Sequence, residues 1–377
     1  MPLLALLCLA AGAAAAPSPA REVRGLWVVR TALVSPQAVD EVVDAASEAG
    51  FNTLFVQVRG RGDAFYDSRL VPRSGLLAGQ PRAFDPLARL LERAATRGLE
   101  VHAWVNVLLS ASLQASLPAD NVVAQHPEWV MVPRAAARTS LPADPKGLLW
   151  LVRQASVGDP DIEGFYLSPS SEGARRHLEE VVREIVRQYP VKGVHLDFIR
   201  YPGPEYDYSV AALEGFRRQR GDCDLLAGPA AHPGAWADYR RAVLTELAYG
   251  LARTARVARP DIVVSAAVVP DEATALYHKY QDWPTWLSRG ILDAVCPMAY
   301  TPDSRLFRDQ VKAAEARLWP GQAVWAGIGA FRLSPEGIVE KIETAREAGA
   351  SGVVVFSHET LSVPVVKLLA MEAFQRH

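Results

Sequence analysis

The sequence predicts an α/β fold, a (β/α)8 TIM barrel with long loops after the third and fourth strands. Short β-rich runs alternate with amphipathic helical patterns, and eight such units follow one another along the chain. This alternation indicates a parallel sheet covered by helices, and eight units are enough to close the sheet into a barrel. A doubly wound open sheet is the alternative, but the sequence contains no GxGxxG motif.

Glycines separate several predicted strands from the helix before them. Amphipathic helical patterns cover, for example, residues 36–49, 85–97, 171–188 and 335–348. Gly50, Gly98 and Gly349 each lie between a helical pattern and a strand, where glycine supplies the left-handed residue that ends a helix. The predicted strands, in chain order, are VRGLWVV, TLFVQVR, EVHAWVNV, KGVHLDFI, IVVSAAVV, DAVCPMAY, AVWAGIGA and GVVVFSHE.

Two connections are much longer than the others, and both follow strands. The first runs from Leu108 to about Ser170, and the second from Tyr201 to about Trp236. Loops that follow strands lie at the carboxyl-terminal end of a barrel, where barrel enzymes build their active sites. Long loops in compact domains usually form lids or cleft walls. We therefore predict one barrel domain over residues 21–377, with a cleft at this end.

The first twenty residues, MPLLALLCLAAGAAAAPSPA, differ in kind from the rest. They form an apolar run that leads into small residues, proline and serine, as in a secretory signal peptide, and the run is short for a bilayer span. No Lys or Arg precedes the run, which departs from the usual signal. We expect cleavage between Ala13 and Ala20 and a periplasmic or extracellular protein; an incorrectly assigned start or an uncleaved anchor are the alternatives.

The composition argues against several classes of function. The net charge is −2, and the sequence has no run of Lys and Arg and no glycine-rich phosphate loop, so we expect no nucleic-acid partner. Besides Cys8 in the first stretch, Cys223 lies in a polar loop and Cys296 in an apolar strand, which predicts no structural disulfide. No CxxC or HxH motif occurs, so we expect no metal and no other cofactor. We expect a monomer without membrane contact beyond the signal peptide.

Polar and aromatic side chains recur at the ends of the predicted strands. Because side chains alternate along a strand, Asp197 shares a face with His195, while Val194 and Leu196 face the helices. Aromatic rings that stack on sugars, together with carboxylates and amides that bind hydroxyls, are typical of a carbohydrate site. The same alternation brings to the barrel mouth Trp27, Phe55, Gln57, Arg59, His102, Trp104, Asn106, Met298, Tyr300, His358 and Glu359.

Each of these residues also has a structural interpretation. Asp197 could pair with Arg200 or Arg59, and Glu359 could cap a helix or hold an arginine. The tryptophans could fill the barrel, and the histidines could act as hydrogen-bonded supports. Their shared position at the strand ends favours function, because the opposite end of a barrel contributes to stability.

Long segments of the chain resemble the glycosyl hydrolase-like 10 family. The resemblance covers residues 21–369 and is most specific around Asp197; it rests on REVRGLWVV, LFVQVRGRGDAFYDS, VHAWVNV, HPEWV, YLSPSSEGARRHLEEVVREIVRQYPVKGVHLDFIRYP, DAVCPMAYT and GVVVFSHETL. It implies an exported bacterial (β/α)8 barrel related to glycosidases and linked in some members to hydrolysis of cell-wall glycan, with Asp197 as the catalytic acid. Many relatives read HLDDY where this chain has Phe198, and the seventh strand ends without a carboxylate.

We therefore predict a glycoside hydrolase acting on a bacterial polysaccharide, of the peptidoglycan type. Asp197 is the expected acid and Glu359 its partner, with Asp63 and Asp271 as reserves, because hydrolysis usually needs two carboxylates. The expected substrate-binding residues are Trp27, Arg59, Asp63, Trp104, Asn106, His195, Arg200, Tyr201, Asp271, Tyr300 and His358. Substrate-assisted hydrolysis through an N-acetyl group is a variant. A non-catalytic glycan-binding barrel and a metal-dependent deacetylase or amidase are the rival functions.

Overall fold

The computed structural model describes residues 21–375 except 115, 141–144, 160 and 222. The predicted signal peptide, residues 1–20, lies outside the described residues. None of the helices in the described ranges combines the length and the apolar character that a membrane crossing needs.

Eight parallel strands close into a barrel, as predicted. The order around the barrel is β1-β10-β9-β8-β7-β6-β3-β2, and β4 pairs with β5 outside it. The strands are β1 Val23–Val28, β2 Thr53–Arg59, β3 Glu100–Asn106, β4 Leu109–Ala111, β5 Phe165–Tyr166, β6 Gly193–Asp197, β7 Val263–Val268, β8 Ala294–Pro297, β9 Ala323–Gly329 and β10 Gly352–Phe356.

Helices follow the barrel strands and begin and end close to the predicted positions. Gly50, Gly98 and Gly349 have φ values of 88°, 66° and 99°, so the predicted left-handed helix ends are confirmed. The helices are α1 Pro36–Glu48, α2 Pro86–Thr96, α3 Val122–Gln125, α4 Arg134–Ser140, α5 Pro145–Ser156, α6 Glu172–Gln188, α7 Val210–Arg220, α8 Gly228–Ala231, α9 Pro233–Ala258, α10 Glu272–Tyr277, α11 Trp283–Ser288, α12 Ser304–Glu315, α13 Pro335–Glu347 and α14 Val363–Leu368.

The barrel has an aliphatic layer outside the sheet and an aromatic layer inside it. Valines, leucines and isoleucines fill the space between strands and helices. Trp27, Phe55, Trp104 and Trp325 cluster within the barrel. Gly193 leaves room for the His102 ring, since a Cβ there would lie 2.3 Å from His102 Nδ1. These bulky side chains fill the barrel interior, and barrel enzymes place their sites at the carboxyl-terminal end of such a filled core.

Both long connections lie at the carboxyl-terminal end of the barrel. The first contains the antiparallel pair β4–β5, in which Leu109 lies opposite Tyr166, and helices α3 to α5. The second contains α7 and α8. The two connections pack on each other and on α9 around Ala137, Tyr208, Ala212, Leu213, Phe216, Trp236, Tyr239 and Val243. A small second core therefore holds the loops in place beside the barrel mouth.

Candidate active site

A cavity of about 310 Å³ opens at the carboxyl-terminal end of the barrel. Barrel strands and the segments that follow them supply most of its walls, and the first long connection supplies the rest. Six of the predicted catalytic and substrate-binding residues line it together: Trp27, Trp104, Asn106, Asp197, Arg200 and Tyr300. Arg30, Gln57, Arg61, Glu163, Phe198 and Phe356 also line it.

Asp197 ends β6, opposite Asn106 of β3, and it is only 6% exposed. Its Oδ1 accepts two hydrogen bonds, from the Phe198 amide at 2.6 Å and from Arg200 Nη1 at 3.0 Å. Within the described part of the chain, Oδ2 accepts none. One oxygen is thus anchored by a donor on the backbone and a cation, and the other is left for a ligand in the cavity.

The backbone after Asp197 takes an uncommon conformation that supports this geometry. Phe198 has a φ of 50°, in the left-handed region that non-glycine residues adopt rarely and at an energetic cost. The turn aims the Phe198 amide back at the carboxylate, and the Arg200 guanidinium lies 4.3 Å above the Phe198 ring. The strain is placed directly beside the carboxylate, as is common at active sites.

A hydrogen-bonded network connects the neighbouring polar side chains of the cavity. Asn106 Oδ1 accepts from Trp104 Nε1 at 2.9 Å and from Gln57 Nε2 at 3.4 Å, while its own amide donates to the Gly60 carbonyl at 2.8 Å. Gln57 Oε1 accepts from Arg30 Nη1 at 3.0 Å. The network fixes the indole, the amides and the guanidinium before any ligand binds, which lowers the entropic cost of recognition.

Glu163 places a second carboxylate in the cavity with Asp197. It comes from the first long connection, just before β5, and its carbonyl accepts from Arg61 Nη1 at 2.8 Å. Glu163 is exposed as a residue, but partial desolvation of its carboxyl on the cavity side raises the pKa; Arg200 opposes the increase and the negative charge of Asp197 adds to it. The cavity therefore holds one carboxylate paired with arginine and a second carboxyl that retains its proton to higher pH than an ordinary glutamate.

A family model described as glycosyl hydrolase-like 10 matches residues 22–323. The chain belongs to this family. Over 346 residues it is 26% identical to glycosyl hydrolase DigH of Escherichia coli K12, covering 82% of this chain and 70% of the relative. It is 23% identical to glycosyl hydrolase YngK of Bacillus subtilis, covering 81% of this chain and 61% of that protein.

Solved structures agree on the fold. The PgaB (BpsB) glycoside hydrolase domain of Bordetella bronchiseptica has a TM-score of 0.70 at 16% identity, covering 94% of this chain and 98% of that one. The catalytic domain of β-amylase from Paenibacillus polymyxa has a TM-score of 0.62 at 10% identity, covering 94% and 99%. This glycosyl hydrolase-like 10 protein therefore has the barrel of glycoside hydrolases.

Three predicted site residues of this family member are buried and do not line the cavity. Arg59 is fully buried and donates to the Asn106 carbonyl and, at 3.0 Å, to Ser110 Oγ; burial lowers its pKa to about 10. His195 Nε2 accepts from Trp27 Nε1 at 3.1 Å, and burial lowers the pKa of His195 to about 3, so the ring is neutral. The buried Tyr201 ring packs against Tyr280 at 5.3 Å.

Four other predicted residues follow barrel strands but do not line the cavity. Glu359 is exposed and accepts from Thr31 Oγ1 at 3.0 Å, and His358 Nδ1 accepts from the Val29 amide at 3.4 Å. Asp63 Oδ1 accepts from the Arg61 amide at 2.8 Å. Asp271 caps α10 by accepting from Thr274 N, and this bond and the Thr274 hydroxyl lower its pKa. A catalytic role for Glu359 stays a prediction without support from the cavity.

The cysteines and the possible metal ligands form no further site among the described residues. Cys223 and Cys296 are free thiols, one half-buried and one buried. Among the residues that the structure describes, no three His, Cys, Asp or Glu side chains are grouped so that they could hold a metal ion.

Proposed function

We propose that this chain is a glycoside hydrolase that cleaves bacterial cell-wall glycan of the peptidoglycan type. The observation that carries the proposal is the pair of carboxyl groups, Asp197 and Glu163, in one cavity whose walls include Trp27, Trp104 and Tyr300. Aromatic side chains stack on the apolar faces of sugar rings, and most glycosidases break the glycosidic bond with a pair of carboxyl groups. Peptidoglycan lies outside the cytoplasmic membrane, which agrees with the export expected from residues 1–20.

The roles of the two carboxyl groups follow from their surroundings. Glu163, whose pKa partial desolvation raises, donates its proton to the glycosidic oxygen as the bond to the anomeric carbon breaks. Asp197, held beside Arg200, supplies the carboxylate whose free Oδ2 meets the positive charge developing at that carbon. Water then bonds to the anomeric carbon, and the proton that it releases restores the starting protonation of the two carboxyl groups. This division of labour revises the sequence-based expectation, in which Asp197 was the acid and Glu359 its partner.

The proposal is tested by incubating the protein with peptidoglycan glycan strands and measuring new reducing ends. We expect reducing ends to appear with the parent protein, and about 10²- to 10⁴-fold more slowly with Asp197→Asn at equal protein concentration. Activity that persists in a chelator would exclude the metal-dependent deacetylase or amidase. Binding of the strands without any new reducing end would instead identify a non-catalytic glycan-binding barrel.

A further inference from the structure

The cavity contains more positive than negative groups. Three arginines line it, Arg30, Arg61 and Arg200, against two carboxyl groups, Asp197 and Glu163. Arg200 is paired with Asp197 at 3.0 Å. Neither Arg30 nor Arg61 lies within ion-pair distance, 4.0 Å, of a carboxylate in any described residue. The two guanidinium groups are therefore available for an anion that comes from outside.

Arg30 is held rigidly in this position. Its Nη1 donates to Gln57 Oε1 at 3.0 Å, and its side chain runs across Gly60, where a Cβ would lie 2.7 Å from Arg30 Cδ. Burial lowers the pKa of Arg30; Asp63 opposes this decrease and the charge of Arg61 adds to it. Partial burial of a cation beside a second cation costs free energy, which a bound anion would recover.

Arg61 lines both this cavity and a second, neighbouring cavity. It donates to the Glu163 carbonyl at 2.8 Å, and both residues also line a neighbouring cavity of about 450 Å³. That second cavity is formed by the first long connection, including Leu113, Val157 and Ile162. A chain of sugars that fills both cavities would thus pass Arg61 next to Glu163.

We propose that Arg30 and Arg61, which line the same cavity, form a subsite for a carboxylate carried by a sugar of the substrate, with Arg61 on the side that leads to the second cavity. Guanidinium groups bind carboxylates through charge-assisted and often paired hydrogen bonds, which neutral sugar hydroxyls cannot match. The inference rests on the proposed glycan hydrolysis and adds the chemical feature that the site selects. Glycan strands whose muramic acid carboxyls are free supply this charge, and strands whose carboxyls are amidated do not.

The test measures binding separately from hydrolysis. The probes are peptide-free oligosaccharides of alternating N-acetylglucosamine and N-acetylmuramic acid, with carboxyls either free or amidated, titrated calorimetrically into Asp197→Asn protein. We expect the free acid to bind about 10- to 100-fold more tightly than the amide. Arg30→Gln and Arg61→Gln, added to this protein, should remove that difference by weakening binding of the free acid only.

Two further variants control the result. Arg308→Gln removes an arginine that pairs with Glu347 on the outer helices and should leave both affinities unchanged. Gly60→Ala displaces the Arg30 side chain without deleting its charge, and should weaken free-acid binding as Arg30→Gln does. Equal affinity for the two probes, or equal loss of both in the arginine variants, would overturn the subsite. Failure of the parent protein to release reducing ends would overturn the hydrolase proposal instead.

Discussion

Replacing Asp197 by asparagine separates the chemistry of this residue from its structural role. The amide keeps Oδ1 as the acceptor for the Phe198 amide and Arg200, so the turn after β6 can persist. What the variant loses is the negative charge. If Asp197 meets the developing charge at the anomeric carbon, as proposed, turnover should fall about 10²- to 10⁴-fold, or about 3–5 kcal/mol of transition-state stabilisation.

The expected effect on folding is smaller. Hydrogen bonds to a charged group contribute about 1 kcal/mol more than neutral ones, and Asp197 accepts two, so the free energy of unfolding should fall by about 2 kcal/mol. For a domain of this size the midpoint of thermal unfolding should fall by at most about 8 °C. At assay temperatures well below that midpoint, the lost activity cannot then arise from unfolding.

Asp293 provides a matched control at the opposite end of the barrel. It precedes β8 and, like Asp197, accepts from an arginine, Arg256 at 2.9 Å, and from a backbone amide, Val264 at 2.7 Å. Asparagine at this position turns one of the two accepting oxygens into an amide donor, so Asp293→Asn should lower the melting temperature by at least as much while turnover of glycan strands stays at the parent value. The reasoning is refuted if Asp197→Asn hydrolyses glycan at the parent rate and melts many degrees lower, since Asp197 would then serve only the fold.

Two other predictions concern carboxyl groups with raised pKa values. Because Glu163 stays protonated to higher pH than an ordinary glutamate, turnover should decline as pH rises through its pKa. Glu163→Gln should reduce turnover about 10²- to 10⁴-fold and abolish that decline. Profiles of turnover against pH for both proteins measure these effects. Burial raises the pKa of Glu315 to about 7, so its contribution to stability is present below its unfolded pKa and lost as pH rises towards 7. Because this carboxyl is only half-buried, solvent screens part of the effect, and Glu315→Gln should be more stable than the parent at pH 8 by about 2 kcal/mol at most, with little difference at pH 4, in urea unfolding; equal stabilities at pH 8 would contradict this.

The fold could be predicted from the sequence because its signals are local and repeated. Alternation of strand and helix patterns and glycines such as Gly50, Gly98 and Gly349 depend on only a few neighbouring residues each. The same alternation brought Asn106 and Asp197 to the cavity, because both end regular strands and lie opposite each other in register. Side-chain direction is thus predictable wherever the strand is regular.

Arg59 does not line the cavity, although alternation along the second strand predicts it at the barrel mouth, and the reason is identifiable. The pairing of β2 with β3 shifts register between Gln57 and Arg59, so strict alternation ends before the arginine. Gln57 lines the cavity, while the Arg59 side chain is directed to the Asn106 carbonyl. Alternation predicts the face of the sheet on which a side chain lies, but not how deep in the barrel it lies. His195 shares a face with Asp197 but lies one layer lower, where it accepts a hydrogen bond from Trp27.

Glu163, Arg30 and Arg61 escaped prediction because they lie outside regular strands. Glu163 is brought to the cavity by the pairing of Leu109 with Tyr166 and by the bond between Arg61 and its own carbonyl. These contacts join positions far apart in the sequence, and no short-range period signals them. The length of the connection after β3 predicted that this connection forms part of a cleft, but not which of its residues lines the cavity.

The two carboxyl groups belong to parts of the molecule that can change independently. Asp197 is fixed to a barrel strand, whereas Glu163 depends on the β4–β5 pair in the connection above it. Retaining and inverting glycosidases differ in carboxyl separation by only a few ångströms, about 5–5.5 Å against about 6.5–9.5 Å. Under the proposed hydrolase mechanism, insertions or substitutions in that connection would change the carboxyl separation while the barrel and Asp197 stay as they are, which makes the connection the place to alter when new reaction products are sought from this scaffold.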